Sequence, residues 1–168
     1  LIAQRRKPDE ILVVDDGSTD RSFDIAKRFP GIKIVQHTKN KGLATARNSG
    51  IHFSKGDLVA SIDSDCAADP LWLEILAAEM ERDPQLSGVA GKVHEVERGT
   101  IPRFLFGANT VFRREALQAT GPYPTSLRTN GEDFEICKRM YAKVPDAKLL
   151  YQPKAFVHHL RRDNFRSI

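Results

Sequence analysis

Three short apolar runs, Ile11–Val14, Ile32–Val35 and Leu58–Ile62, are separated by stretches of helical periodicity, and this arrangement narrows the choice of folds most. The first run, Ile-Leu-Val-Val, lacks polar alternation, the pattern of a strand covered on both faces of a parallel sheet. Between the runs, Phe23, Ala26 and Phe29 recur at helical spacing up to Pro30-Gly31. Leu43, Ala46, Gly50 and Ile51 share one side of a segment from Leu43 to Phe53. Strands alternating with helices through short connections predict right-handed βαβ units and an α/β fold. Its sheet is expected to be mainly parallel and flanked by helices, with a smaller mixed region later in the chain.

Around this frame, Leu1–Lys7 reads as the last turns of an amphipathic helix. Asp69-Pro70 opens a strong helix, Asp as N-cap and Pro at the first helical position. Its stripe is Leu73, Leu76 and Met80, widened by Trp72 and Ile75. Beyond Asp83-Pro84 the pattern predicts strands over Val89–Val96 and Phe104–Phe112, the second broken at Gly107-Ala108-Asn109, with Arg98-Gly99-Thr100 as a loop. A helix over Arg114–Thr120 ends at Gly121-Pro122, and Leu127–Gly131 is a polar loop. Glu132-Asp133 open a helix running from Phe134 to about Ala142. Ala147–Tyr151 and Ala155–His159 are expected as two strands around Pro153.

At 168 residues the chain suits a single domain with a real core. It holds no run of about 18 apolar residues, so none of it is expected to span a membrane. No signal peptide is expected either; the longest uncharged apolar run near the start is Ile11–Val14. Cys66 and Cys137 form no metal-ligand pattern and read as reduced thiols of a cytoplasmic protein, Cys66 as a small packing residue. The formal charge of +4 gathers in Arg5-Arg6-Lys7 and in Arg161, Arg162 and Arg166. Such a basic rim suits phosphate-bearing substrates or peripheral contact with an anionic membrane surface, and equally a solvated face. Nucleic acid is not expected, because the few aromatic residues are not interleaved with the basic ones.

Two of the strand runs end in acids: Asp15-Asp16 after the first, Asp63 and Asp65 after the third. In an open α/β sheet, ligands bind at the carboxyl ends of the strands. Two hard oxygen donors one residue apart can share a divalent cation, and the cation can hold a diphosphate. Turn chemistry is the plainer account of both pairs. Glu132-Asp133 at a helix start are likewise explained by favourable charge at a helix N-terminus.

Taken in order, Val13-Val14-Asp15-Asp16-Gly17-Ser18-Thr19-Asp20, then Asn40-Lys41-Gly42-Leu43-Ala44-Thr45-Ala46-Arg47-Asn48-Ser49-Gly50, then Asp63-Ser64-Asp65, resemble a family 2 glycosyltransferase of the GT-A fold. Gly107-Ala108-Asn109 with Phe112–Leu117, Gly131-Glu132-Asp133-Phe134-Glu135 and the strand ending in His159 extend the resemblance over nearly the whole chain. It implies one GT-A domain over 1–168, with a nucleotide-sugar-binding half (1–97) and an acceptor-binding half (98–168).

The resemblance implies roles residue by residue. Asp16, with Asp15, would contact the base and ribose of a nucleotide-sugar donor, a UDP-sugar first. Arg47, Lys41 and Gly42 would shape that pocket. Asp65 would ligate Mn2+ or Mg2+, with Asp63 on the ribose or a metal-bound water and His159, in preference to His158, as a further ligand. Asp133 would be the general base of an inverting transfer, supported by Glu132. The acceptor would be a surface glycan or lipid-linked saccharide, at the cytoplasmic face of a membrane. The family opens with a strand and loop that this sequence lacks, which predicts a raw sheet edge beside Ile11–Val14. A catalytically silent nucleotide-sugar-binding module is the alternative reading. A nucleotidyltransferase would need a Gly-rich phosphate loop near its start, and none is visible in these residues.

Overall fold

A computed structural model describes residues 1–93, 107–127 and 131–160. Its elements, in chain order, are β1 (Ile11–Asp15), α1 (Ser22–Ala26), β2 (Ile32–Gln36), α2 (Leu43–Phe53), β3 (Leu58–Ile62), β4 (Cys66–Ala68), α3 (Trp72–Arg82), β5 (Leu86–Val93), β6 (Asn109–Arg113), α4 (Arg114–Thr120), α5 (Glu132–Lys143) and β7 (Lys148–His159). The α/β class is the expected one.

The strands form a two-stranded sheet, β1-β2, and a five-stranded sheet ordered β3-β6-β5-β7-β4. Parallel pairing is confined to β1–β2 and β5–β7, while β6 and β4 enter antiparallel. β6 pairs antiparallel with both β3 and β5 and turns straight into α4. The larger sheet therefore combines β3, β4 and β5 of residues 1–97 with β6 and β7 of residues 98–168. No hydrogen-bonded strand lies on the second edge of β1 among the described residues, and its four apolar residues are only half-buried. The connection between the sheets runs through Glu10, which accepts the Lys55 and Gly56 amides at the turn into β3 and pairs with Lys33 at 2.9 Å.

Two apolar clusters cover the faces of the large sheet. One gathers Trp72, Leu76 and Met80 of α3 under Val89, Val111, Ala155 and Val157. The other gathers Ala44, Val59, Phe112, Leu117, Ile136 and Met140, so α2, α4 and α5 lie opposite α3. Each such large side chain contributes roughly 1.5–3 kcal/mol on burial. Inside the sheet Trp72 Nε1 donates to Asn109 Oδ1 at 2.6 Å and Asn109 Nδ2 donates to the Lys92 carbonyl at 3.0 Å, while the buried Thr110 Oγ1 has no hydrogen-bond partner among the described residues.

Four local expectations are corrected. Residues 1–7 are turns and bends, not a helix; Gln4 is buried and its amide bridges the Asp69 carbonyl and the Leu73 N–H, which anchors the segment on α3 instead. Helix α3 starts at Trp72, because Asp69 uses its carboxylate on the Leu71 amide in a preceding turn. β4 was not expected; three residues are too short a signal to read. The two strands around Pro153 are one, since a register irregularity between Gly91 and Lys92 gives Pro153 room without breaking β7. The loop Arg98-Gly99-Thr100, His94, residues 104–106, 128–130 and the C-terminal arginines lie outside the described residues. No helix among the described residues is long and apolar enough to cross a membrane.

Candidate active site

The buried guanidinium of Arg47 collects three carboxylates. It sits on the inner face of α2, 9% exposed, where Nη1 donates to Glu132 Oε1 at 2.7 Å and also to Asp133 Oδ1. Its Nη2 lies 3.7 Å from Asp63 Oδ1 at the end of β3. The guanidinium also lies over the Tyr123 ring, 5.6 Å from its centroid. Asn48, next on the helix, exchanges two hydrogen bonds with the Tyr123 backbone, at 2.9 and 2.7 Å, and so fixes that ring under Arg47.

Glu132 and Asp133 open α5, where the free amides of the first turn favour negative charge. Asp133 Oδ2 accepts the Gly107 N–H at 2.8 Å. Gly107 is required there: a Cβ would run into the Arg47 guanidinium and Asp133 Oδ1. Burial pushes the Asp133 carboxyl above the ordinary range, opposed by the Arg47 charge and the Gly107 hydrogen bond. A carboxyl whose proton affinity is raised by burial is suited to accepting a proton.

Asp65 and His159 form a second focus. β4 runs antiparallel to β7 with Cys66 opposite His159, and Leu160 N–H donates to the Asp65 carbonyl at 2.7 Å. This brings His159 Nε2 to 3.4 Å from Asp65 Oδ2. His158 points to the other, exposed face and meets Phe156 edge-on. Asp63 turns toward Arg47 rather than joining Asp65. One ligand atom from each of Asp65, Cys66 and His159 lies within 4.8 Å of the others. A carboxylate and an imidazole this close are a suitable donor pair for a divalent cation. Burial, then the charges of Asp63 and Asp65, push the Cys66 thiol up to about 11.

Asp15 and Asp16 are occupied by the protein's own groups, Asp15 by its turn and by β2, Asp16 by His37 and the segment between β2 and α2. Asp15 accepts the Ser18 N–H at 3.0 Å and the Gln36 amide at 3.1 Å, and its carboxyl is held low chiefly by Ser18. Gly17 allows the turn with φ +74°, its backbone against Lys39 and Asn40. Asp16 accepts the Lys41 and Gly42 amides, at 3.0 and 2.8 Å, and meets His37 Nδ1 at 2.5 Å. Burial opposes its charge, but His37 and the two amides together still hold it low. His37 continues to Ser49 Oγ at 2.9 Å. His37, Gly107 and Tyr123 were not singled out as site residues; only their long-range partners mark them. Part of the N-terminal basic cluster is neutralised on α3, Arg5 by Glu74 and Arg6 by Glu81.

This fold is found among solved glycosyltransferases. A mannosyltransferase, PcManGT, from Pyrobaculum calidifontis, solved with GDP-Man and Mn2+, superposes with a TM-score of 0.80 at 20% identity, over 97% of this chain and 51% of that one. S. aureus TarS with UDP-GlcNAc gives 0.79 at 20% identity, over 96% and 52%. The class is that of GT-A glycosyltransferase domains. More particularly, residues 1–137 match the model of glycosyl transferase family 2, and the chain belongs to that family. Curated relatives include a glucosyl-dolichyl phosphate glucuronosyltransferase of Haloferax volcanii, 25% identical over 95% of this chain, and a pre-mycofactocin glycosyltransferase of Mycobacterium tuberculosis, 28% identical over 93%. The chain spans 61% and 38% of the lengths of those two relatives.

Proposed function

We propose that this chain is the core of an inverting, metal-dependent glycosyltransferase that moves a sugar from a nucleoside-diphosphate donor to a hydroxyl acceptor. The observation that carries this reading is the convergence of Asp63, Glu132 and Asp133 on the buried Arg47, next to the Asp65–His159 pair. Carboxylates from the end of β3 and the start of α5 thus meet at one guanidinium.

Asp133 is the general base. The acceptor oxygen attacks the anomeric carbon from the face opposite the diphosphate, the carbon–oxygen bond to the diphosphate breaks, and the acceptor proton passes to Asp133. Attack from the opposite face inverts the anomeric centre. Glu132 and Arg47 orient Asp133, and Gly107 holds its second oxygen. Asp65 and His159 would hold a divalent ion such as Mn2+ or Mg2+, which supplies charge neutralisation to the departing diphosphate. Asp63 would face the ribose, and Asp16, Lys41 and Gly42 the base, with Asp15 setting the shape of their loop. A nucleotide-sugar donor fits the structural neighbours solved with GDP-Man and UDP-GlcNAc, and a lipid-linked or surface glycan acceptor fits the glucosyl-dolichyl phosphate relative.

The test is calorimetric titration of UDP, GDP and dTDP, with and without Mn2+, into wild type and Asp65→Ala. Metal-dependent binding by wild type, lost in the variant, is the expected result; a folded wild type that binds none of the three overturns the proposal. The alternative is a catalytically silent nucleotide-sugar-binding module of the same fold. Donor binding without hydrolysis or transfer of its sugar would establish that reading instead.

A further inference from the structure

A chain of hydrogen bonds runs behind the first acidic loop and joins three elements. His37 follows β2, and its backbone N–H donates to the Asp15 carbonyl at 2.8 Å, which seats it beside the end of β1. Its ring makes the other links: Nδ1 meets Asp16 Oδ1 at 2.5 Å, and Nε2 meets Ser49 Oγ of α2 at 2.9 Å. An ionised carboxylate only accepts, so Nδ1 carries the hydrogen of the first bond. The Ser49 hydroxyl, able to give or accept, serves Nε2. The two residues differ in access: the Asp16 side chain is 18% exposed, that of His37 only 7%. A ligand can therefore touch Asp16, while His37 acts through it.

We propose that His37 is a positioning residue for the donor nucleotide: it holds the Asp16 carboxylate in one rotamer toward the base, and Ser49 holds the ring of His37. The proposal rests on the reading above in which Asp16 faces the base, and deepens it. The Lys41 and Gly42 amides pin the carboxylate from one side, at 3.0 and 2.8 Å. His37 adds a short bond from the β2 side, of the charge-assisted kind that is stronger than a neutral one. With these in place the side chain gives up its rotamer freedom on folding rather than on binding, and such preorganisation is read as affinity. Contacts to a base are made alike before and during sugar transfer, so weakening them lowers affinity without a matching loss of turnover. The diphosphate, assigned above to the ion on Asp65 and His159, lies outside this chain of bonds.

The experiment is calorimetry with Mn2+ present, using two ligands. One is whichever of UDP, GDP and dTDP wild type binds most tightly; the other is inorganic pyrophosphate, which has no base. His37→Ala is expected to weaken nucleotide binding by about tenfold and to leave pyrophosphate binding within about twofold of wild type. His37→Asn places an amide N–H where Nδ1 stood and should recover most of the loss. His37→Gln keeps a group near Nε2 but removes the donor to Asp16, so it should bind nucleotide as weakly as His37→Ala, and it serves in its place if the alanine variant does not fold. Ser49→Ala should show a smaller loss, again for the nucleotide alone. Equal loss of both ligands, unchanged nucleotide affinity in His37→Gln, or no recovery in His37→Asn overturns the role of His37. Asp16→Ala separates this from the reading beneath it: wild-type nucleotide affinity in that variant, or no nucleotide bound by wild type, overturns both.

Discussion

Arg47 and Asp133, 86 positions apart in sequence, are joined through one guanidinium nitrogen that also holds Glu132. The contact makes α2 and α5 into one structural unit around the candidate base. A buried cation shared among acids is costly to remove, because its partners are then left charged and desolvated.

Arg47→Met should therefore destabilise the protein by about 3–5 kcal/mol, the range for breaking a buried ion pair. Burial already raises the Asp133 carboxyl above its ordinary value, and removing Arg47 raises it further. A folded-state value above the unfolded one stabilises below the unfolded value and is lost as pH rises through the folded one. The deficit of Arg47→Met should shrink in acid. Urea unfolding followed by the fluorescence of Trp72, the single tryptophan, measures both effects.

Gly107→Ala should leave donor binding nearly intact and slow turnover. The new methyl would collide with Arg47 and Asp133 and shift the base. Displacements of that size cost on the order of 10²-fold in rate. Steady-state hydrolysis of the donor, set beside calorimetric affinity, separates the two quantities; equal loss of both would contradict the assignment.

His37 links Asp16 of the first acidic loop to Ser49 of α2. His37→Ala should cost about 1–3 kcal/mol, since buried polar partners lose their hydrogen bonds, and Ser49→Ala about 1 kcal/mol. The double variant should cost less than the sum, as expected for neighbours in one network. Additive values from thermal or urea unfolding would show that the three residues do not act together.

The Glu10 carboxyl is held at about 2, against an ordinary 4.5, first by the Lys55 amide and then by Lys33. The folded value lies below the unfolded one, so this stabilisation is present above about pH 4.5 and is lost as pH falls toward about 2. Glu10→Gln should be less stable than wild type at neutral pH, and the gap should close on acidification. Melting temperatures across that window provide the check; a constant gap would contradict the role of Glu10.

Most elements were legible because their signals are local. β1, β2, α2, β3 and α4 follow from apolar runs, helical periodicity and the Gly and Pro that end them, and the helix opened by Glu132-Asp133 follows from charge at its first turn. The first seven residues misled because an amphipathic pattern does not distinguish a helix from a segment pinned by Gln4 to another element. His37 and Tyr123 were illegible because a lone buried side chain carries no spacing signal.

The sequence by itself determined the α/β class, the placement of acids at strand ends and the helix start that holds Asp133, all products of interactions within a few residues. Only the tertiary structure decided that Asp16 is held by His37 and by the Lys41 and Gly42 amides, that Asp63 turns to Arg47, and that Cys66 stands opposite His159. Those outcomes depend on strand register and on ion pairs between residues far apart in the chain. Their energies exist only once the chain is closed, so no local pattern records them.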